Sequence, residues 1–183
     1  RHGAQVGVND YGGSEAGAGA SRQPADEVVD EIKKVGGQAV ASYESVASMA
    51  GGQAIIKTAV DAFGRIDIVV NNAGILRDRM IFNMTEEEWD GVINTHLKGA
   101  FAVTRAAAPL MREQKWGRVI NMTSTSGLVG NVGQANYAAA KLGLVHFAAF
   151  HEPRAVQGTE IAGIAVVEEL LAAGVAGLDA AEA

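Results

Sequence analysis

Short apolar runs alternate along this chain with longer amphipathic segments, a pattern typical of parallel strand–helix–strand units. Strands are predicted where apolar residues cluster between polar or glycine-rich turns, over residues 5–9, 38–43, 66–70, 118–122 and 161–167. Helices are predicted between and after them, over 24–35, 54–63, 85–111 and 137–150, with a short one over 168–173. The run 66–70 is apolar enough to predict a strand buried on both faces.

Local signals sharpen the ends of these elements. Thr85 and Glu88 have the spacing of a capping box, which predicts a helix start, and Pro109 is expected to bend or break the end of the same helix. The glycine-rich loop 12–19 lacks the Gly-x-Gly-x-x-Gly spacing of a phosphate-binding turn, so it is predicted to be a flexible connector.

Composition narrows the class of protein. The chain has 183 residues, of which 48% are hydrophobic and 20% charged, as expected for one globular α/β domain. A net charge of −6 argues against nucleic acid and anionic membranes as partners. The chain has no cysteine, its four histidines lack metal-ligand spacing, and no window is apolar enough to span a bilayer. We therefore expect a cytoplasmic protein with no metal site.

Candidate chemistry centres on Tyr137 and Lys141, a phenol and an ammonium one helical turn apart. Alone the pair is a weak signal, because many helices carry such residues at this spacing. Ser124 strengthens it, since this hydroxyl follows a predicted strand and precedes the polar loop 131–136. The three side chains together suit proton transfer to a carbonyl or alcohol oxygen.

Asn71-Asn72-Ala73-Gly74, which ends the apolar strand, completes a set of motifs in which the chain resembles the short-chain dehydrogenase/reductase family over residues 1–150. The resemblance implies an α/β fold of Rossmann type, a doubly wound parallel sheet. Residues 8–10, 72–79 and 96–99 are most similar to the (R)-3-hydroxyacyl-CoA dehydrogenase part of peroxisomal multifunctional enzymes and their bacterial relatives.

The resemblance also implies roles for the catalytic candidates. Tyr137 is expected to act as the acid/base and to contact both the substrate and the cofactor, with Lys141 favouring its phenolate and holding the nicotinamide ribose. Ser124 is expected to bind the substrate oxygen. His96 stands where most of the family has an asparagine that organises a water relay. It either holds that water and adds a pH dependence, or is a partly buried helix histidine with a satisfied hydrogen bond.

Cofactor residues follow from the same resemblance. Asp10 closes the first strand, where a carboxylate accepts hydrogen bonds from the adenosine ribose and repels a 2′-phosphate, implying NAD rather than NADP. The alternative for Asp10 is an aspartate that starts a turn. Asn72, Ala73 and Gly74 are expected along the ribose, and Val46 against the adenine. Glu44 replaces the aspartate that is usual in the family.

Two departures from the family pattern stand out. The strand and glycine-rich turn that normally open the fold are missing, and that strand belongs between the strands ending at Asp10 and Asn71. The pattern also leaves the family near Phe150, so residues 151–183 are predicted to be a divergent tail without the usual C-terminal strands. We expect an incomplete gene product with an altered end; a divergent natural tail is the alternative.

The sequence therefore predicts an NAD-dependent oxidoreductase that interconverts a secondary alcohol and a ketone. A 3-hydroxyacyl or 3-oxoacyl thioester is the favoured substrate, and a steroid or other small hydroxy compound is the alternative. A competing hypothesis is a catalytically inactive fragment or interaction partner. By its resemblance the chain is also expected to form homodimers or homotetramers through the helices 97–111 and 137–150.

Overall fold

The computed structural model describes residues 3–148 and the backbone of residues 160–167. The strands are β1 (Gln5–Asn9), β2 (Gln38–Ser42), β3 (Ile68–Asn71), β4 (Trp116–Thr123) and β5 (Glu160–Val167). The α-helices are α1 (Gln23–Lys34), α2 (Met49–Phe63), α3 (Glu86–Ile93), α4 (Gly99–Gln114), α5 (Thr125–Val129) and α6 (Ala135–Ala148). Every strand pair is parallel, which confirms the predicted α/β class.

The strands form two separate parallel sheets, of order β1-β2 and β3-β4-β5. Within the described residues β1 and β3 do not pair with each other. Instead, both line a cavity of about 1100 Å³. This opening lies where the sequence predicted a missing strand, between the strands that end near Asp10 and Asn71.

The prediction that the strand 66–70 is buried on both faces is wrong. The strand begins at Ile68, and only Val69 is buried, whereas Ile68 and Val70 are 51% and 55% exposed. Apolar side chains of β3 therefore face open space beside the cavity. The reason is that strand side chains alternate between the two faces of a sheet: Val69 points into the core, and Ile68 and Val70 point to the opposite face.

The hydrophobic core lies where α2 and α4 pack on β3 and β4. Met111 of α4 and Val119 of β4 are fully buried at its centre. The core cluster consists of Ile56, Val69, Val103, Ala107, Met111 and Val119. This core holds the carboxyl ends of β3 and β4, and therefore the polar residues that follow them, on one rigid base.

The predicted long helix is built from α3, a π-helical turn over Asn94–Lys98, and α4. It begins with the predicted capping box: Thr85 accepts a hydrogen bond from the Glu88 amide, and the Glu88 carboxylate accepts one from the Thr85 amide. Pro109 does not end it, because α4 continues to Gln114. The π turn includes His96.

The glycine-rich loop 12–19 is not the flexible connector that the sequence predicted. Ser14 and Ala18 close it with a backbone hydrogen bond of 2.8 Å, and Glu15 accepts one of 2.9 Å from the Leu76 amide. The loop is therefore docked on the segment that follows β3. In the C-terminal part, the predicted strand 161–167 is confirmed as β5, whereas the predicted helix 168–173 and the boundary near Phe150 lie outside the described residues.

Candidate active site

Tyr137 and Lys141 lie one turn apart on α6, and β4 fixes the position of the lysine. The Lys141 ammonium donates to the carbonyl of Met122 at 2.7 Å, and the Thr123 hydroxyl donates to the Lys141 carbonyl at 2.7 Å. Lys141 is buried, and its Nζ lies 5.4 Å from the centre of the Tyr137 ring. The ammonium therefore lies beside the Tyr137 ring, one turn further along α6.

Ser124 directly follows β4 and caps α5. Its hydroxyl accepts a hydrogen bond of 3.2 Å from the Ser126 amide, and the residue is buried. It lies outside the lining of both principal cavities of the described chain. The structure therefore brings Ser124 to the same strand end that anchors Lys141, through Met122 and Thr123, without opening it to either cavity.

A cavity of about 230 Å³ brings together candidates from three parts of the chain. Its lining includes Tyr137 and Lys141 from α6, His96 from the π turn, and Asn72 and Gly74 from the segment after β3. Residues up to 69 positions apart in sequence thus meet at one place. The catalytic candidates Tyr137, Lys141 and His96 share this space with two of the predicted ribose-contacting residues.

His96 is buried against Ile75. Its Nε2 lies 2.9 Å from the Ile75 carbonyl oxygen and 3.1 Å from the Ile75 amide nitrogen, so it donates to the first in one tautomer and accepts from the second in the other. Its Nδ1 is buried and has no hydrogen-bond partner among the described residues. Gly74 makes room for the ring, because a Cβ there would lie 2.5 Å from the imidazole Cε1.

Burial is the main cause that lowers the pKa of His96 to about 4; the hydrogen bond to Ile75 acts in the opposite direction, and the nearby Lys141 ammonium acts in the same direction as burial. The imidazole is therefore neutral at neutral pH. The pH dependence that the sequence suggested for this residue falls well below the physiological range. The hydrogen bond of Nε2 fits the interpretation of a buried histidine with a satisfied hydrogen bond. Nδ1 has no partner among the described residues, so it is available to the water that the other interpretation requires.

Asp10 adopts the turn geometry that was the alternative for this residue. Its Oδ1 accepts a hydrogen bond of 2.7 Å from the Gly12 amide. Gly12 has φ +71°, and a Cβ there would lie 1.9 Å from the Ser21 carbonyl oxygen, so only glycine fits. Asp10 is exposed, and a carboxylate can accept several hydrogen bonds, so the turn leaves acceptor capacity for a ribose.

The five residues expected to contact only the cofactor line the larger cavity: Asp10, Val46, Asn72, Ala73 and Gly74. Asn9, which the sequence analysis missed, organises one wall of it. Its side chain donates to the Glu44 carbonyl and accepts from the Glu44 amide, both at 3.0 Å. An asparagine next to a strand end was a signal for such a link, but its partner lies 35 residues away.

No group of three or more histidine, aspartate or glutamate side chains among the described residues is placed to hold a metal ion. No helix in the same part of the chain combines the length and apolarity needed to cross a membrane.

The chain is similar to known proteins over most of its length. The family model described as short chain dehydrogenase matches residues 9–167, which include β5. A peroxisomal multifunctional enzyme type 2 of Drosophila melanogaster is 55% identical over 80% of this chain and 24% of its own length. A putative short-chain type dehydrogenase/reductase of Mycobacterium tuberculosis is 58% identical over 78% of this chain and 50% of its own.

A solved structure is similar as well. The crystal structure of a short chain dehydrogenase from Mycobacterium avium has a TM-score of 0.70 and 48% identity, covering 79% of this chain and 52% of that one. The chain thus spans half or less of the length of the curated relatives described above. Because the family model covers most of its residues, the chain belongs to the short-chain dehydrogenase family.

Proposed function

We propose that this protein is an NAD-dependent oxidoreductase that interconverts a secondary alcohol and a ketone. One observation carries the proposal: Tyr137, Lys141 and His96 line the same small cavity as Asn72 and Gly74. A proton-transfer pair and the predicted ribose-contacting backbone therefore adjoin one space. Membership of the short-chain dehydrogenase family supports the same reaction class.

The proposed roles follow from the contacts. In the oxidising direction, the Tyr137 phenolate accepts the hydroxyl proton of the alcohol as the carbonyl forms. Lys141 stabilises that phenolate and is held in place by its hydrogen bond to the Met122 carbonyl. Ser124 is proposed to position the substrate oxygen through its hydroxyl, because a hydroxyl that accepts from the Ser126 amide can also donate a hydrogen bond.

The residues of the larger cavity fit a dinucleotide. When bound, NAD supplies the hydride acceptor for the alcohol carbon. Asp10 is proposed to accept from the adenosine ribose, Val46 to contact the adenine, and the segment Asn72-Ala73-Gly74 to pass along the nicotinamide ribose. The fit rests on their shared lining of one cavity.

A 3-hydroxyacyl or 3-oxoacyl thioester is the proposed substrate. The support is the similarity to a peroxisomal multifunctional enzyme type 2 and to the peroxisomal hydratase-dehydrogenase-epimerase of Saccharomyces cerevisiae, which is 56% identical over 80% of this chain and 16% of its own length. The name of the second protein includes a dehydrogenase activity. A steroid or another small hydroxy compound remains the alternative substrate class.

The proposal is tested on the purified full chain. Isothermal titration calorimetry with NAD and with NADP measures cofactor binding, and absorbance at 340 nm follows turnover of a panel of 3-hydroxyacyl thioesters and hydroxysteroids. We expect micromolar binding of NAD, weaker binding of NADP, and turnover of the thioesters. Failure to bind either dinucleotide would instead support the inactive-fragment hypothesis.

We also propose that the chain forms a homo-oligomer and is cytoplasmic. The proposed homodimer or homotetramer would bury apolar side chains that are exposed on α4 and α6, such as Phe101 and Leu142. Light scattering after size-exclusion chromatography tests this assembly. A cytoplasmic location was predicted from the sequence, whereas the names of two relatives include the word peroxisomal. Fluorescence microscopy of a tagged chain in its own cells distinguishes these compartments.

A further inference from the structure

We propose that Arg77 and Asn136 are positioning residues that set the place of Tyr137, and that Arg77 links this placement to the glycine-rich loop 12–19. The inference rests on the proposed role of Tyr137 as the acid/base. Hydrogen bonds of Asn136 and Arg77 connect the start of α6 to three other segments: the one after β3, α3 and the loop 12–19.

Asn136 is completely buried and holds the backbone of Tyr137. Its Oδ1 accepts a hydrogen bond of 2.8 Å from the Tyr137 amide. Its Nδ2 donates to the Arg77 carbonyl and to the Glu88 carbonyl, each at 3.1 Å. Both amide protons and one oxygen lone pair are thus used. The start of α6 is thereby tied to the segment after β3 and to α3.

Arg77 extends these hydrogen bonds to the glycine-rich loop. Its Nε donates to the Ala16 carbonyl at 3.0 Å, and its Nη1 donates to the Glu87 carbonyl at 3.1 Å. The guanidinium therefore joins the glycine-rich loop to α3, while the backbone of the same residue accepts from Asn136. Loss of the guanidinium would remove the arginine partner of the Ala16 and Glu87 carbonyls. Neither of these carbonyls accepts from the Asn136 side chain, so the hydrogen bonds of Asn136 itself would remain.

Helix α3 is shaped to admit this guanidinium. A Cβ at Gly91 would lie 2.9 Å from Nη1 and 3.1 Å from Cζ of Arg77, closer than ordinary van der Waals contact. The side chain is largely buried, with 22% of its surface exposed. A partly buried arginine that is hydrogen-bonded to two backbone carbonyls has few alternative positions, so a displacement of the loop is passed on to residue 77 itself.

These contacts determine where the phenol oxygen of Tyr137 lies. Because the Tyr137 amide is held by Asn136 and the ring packs against His96, the phenol is located by its backbone on one side and by its ring on the other. A shift on the order of 1 Å at such a group lowers turnover by about a hundredfold. The pair therefore acts on the rate of the proposed reaction without touching the substrate.

The test uses the full chain labelled with tyrosine carrying ¹³C at Cζ. The sequence has three tyrosines, and the Tyr137 resonance is the one lost in Tyr137→Phe. Asn136→Asp keeps an acceptor for the Tyr137 amide but removes both donors. We expect it to shift the Tyr137 resonance and leave those of Tyr11 and Tyr43 in place. Arg77→Gln should shift the same resonance less, and the double variant should match Asn136→Asp alone.

Gln134→Ala is the matched control. Gln134 donates to Asp78 at 2.9 Å, so its amide also links the loop before α6 to the segment after β3, but it does not hold Tyr137. The control should leave the Tyr137 resonance unchanged. An unchanged Tyr137 resonance in folded Asn136→Asp overturns the proposal, as does an equal shift in Gln134→Ala. If Asn136→Asp does not fold by circular dichroism, Arg77→Gln carries the test, and an unchanged resonance there overturns it.

Steady-state kinetics provide a second test of the positioning role. In Asn136→Asp, kcat for the thioester should fall by about ten- to a hundredfold while the NAD affinity and KM stay near their wild-type values. A loss confined to KM would overturn a positioning role. The resonance test needs no turnover, so an inactive chain with the expected shifts would refute the proposed function and leave this inference standing.

Discussion

The imidazole of His96 meets the phenol of Tyr137 edge-on, with ring centroids 5.2 Å apart and ring planes at 89°. This is a preferred geometry for aromatic pairs, because the positive edge of one ring faces the negative face of the other. The contact joins the π turn to α6 at the proposed acid/base. It also places beside the phenol a histidine whose charge state depends on burial.

The stability of the chain should fall in acid because of His96. Its folded pKa of about 4 lies below the ordinary value of 6.5, so the unfolded chain takes up a proton that the folded chain refuses between these two pH values. The stabilisation is complete above pH 6.5 and is lost as the pH falls toward 4. At 1.36 kcal/mol per pKa unit, His96 should account for a loss of about 2 kcal/mol between pH 7.5 and pH 5.

Urea unfolding at a series of pH values measures this loss. His96→Asn has no titrating group at the site, so its free energy of unfolding should change less over the same interval. His146→Asn, which replaces an exposed histidine of α6, is the control and should keep the wild-type dependence. Parallel curves for His96→Asn and the wild type would show that burial does not lower the pKa of His96.

Features with nearby partners were predictable from the sequence. The capping box of Thr85 and Glu88 was recognised because both halves lie within one helical turn. The strand 5–9 and the α/β class followed from local composition in the same way. Tyr137 and Lys141 were found because their spacing and their context resemble a known family, although their roles remain predictions.

Features with distant partners were not predictable. The Asn136 amide is bonded to a carbonyl 59 residues away, and no local pattern encodes that distance. The exposure of Val70 was also missed, since an apolar strand predicts burial but does not show whether another element packs over each of its faces. The docking of the loop 12–19 was not predicted, because a high glycine content indicates conformational freedom. The hydrogen bond from the Leu76 amide to the Glu15 carbonyl forms only in the tertiary structure.

Gly12→Ala should destabilise the fold more than Gly19→Ala. Both glycines have positive φ, +71° and +82°, which costs an alanine roughly 1–2 kcal/mol. A Cβ at Gly12 would also strike the Ser21 carbonyl at 1.9 Å, whereas nothing lies within 4 Å of one at Gly19. Both variants carry the cost of positive φ, so the difference between their melting temperatures measures the steric clash at Gly12 alone. Equal losses would mean that the turn at Asp10 is looser than described.

Cofactor preference should depend on the charge of Asp10. Asp10→Asn keeps an oxygen for the Gly12 amide and so preserves the turn, while it removes the charge that repels a 2′-phosphate. Asp10→Ala removes both. Each variant should shift the ratio of NAD to NADP dissociation constants toward NADP by about tenfold or more, as expected for the loss of a charged hydrogen bond. Calorimetry that gives the wild-type ratio for both variants would remove Asp10 from the cofactor site.

Tyr137→Phe should abolish turnover while sparing NAD binding and stability. The phenyl ring keeps the edge-on contact with His96, and the Asn136 hydrogen bond involves only the backbone of residue 137, so the change removes little besides the hydroxyl. Loss of an acid/base group lowers the rate by about a hundred- to ten-thousandfold.

Tyr43→Phe is the control for that experiment. It removes a hydroxyl that donates to Asp26 at 2.6 Å, away from the proposed site. Thioester turnover at 340 nm, NAD titration and thermal unfolding are measured on both variants. Turnover near the wild-type rate in Tyr137→Phe would take the acid/base role away from Tyr137. A loss of NAD binding or stability alongside turnover would show that the hydroxyl also supports the fold, because the ring and backbone contacts survive the substitution.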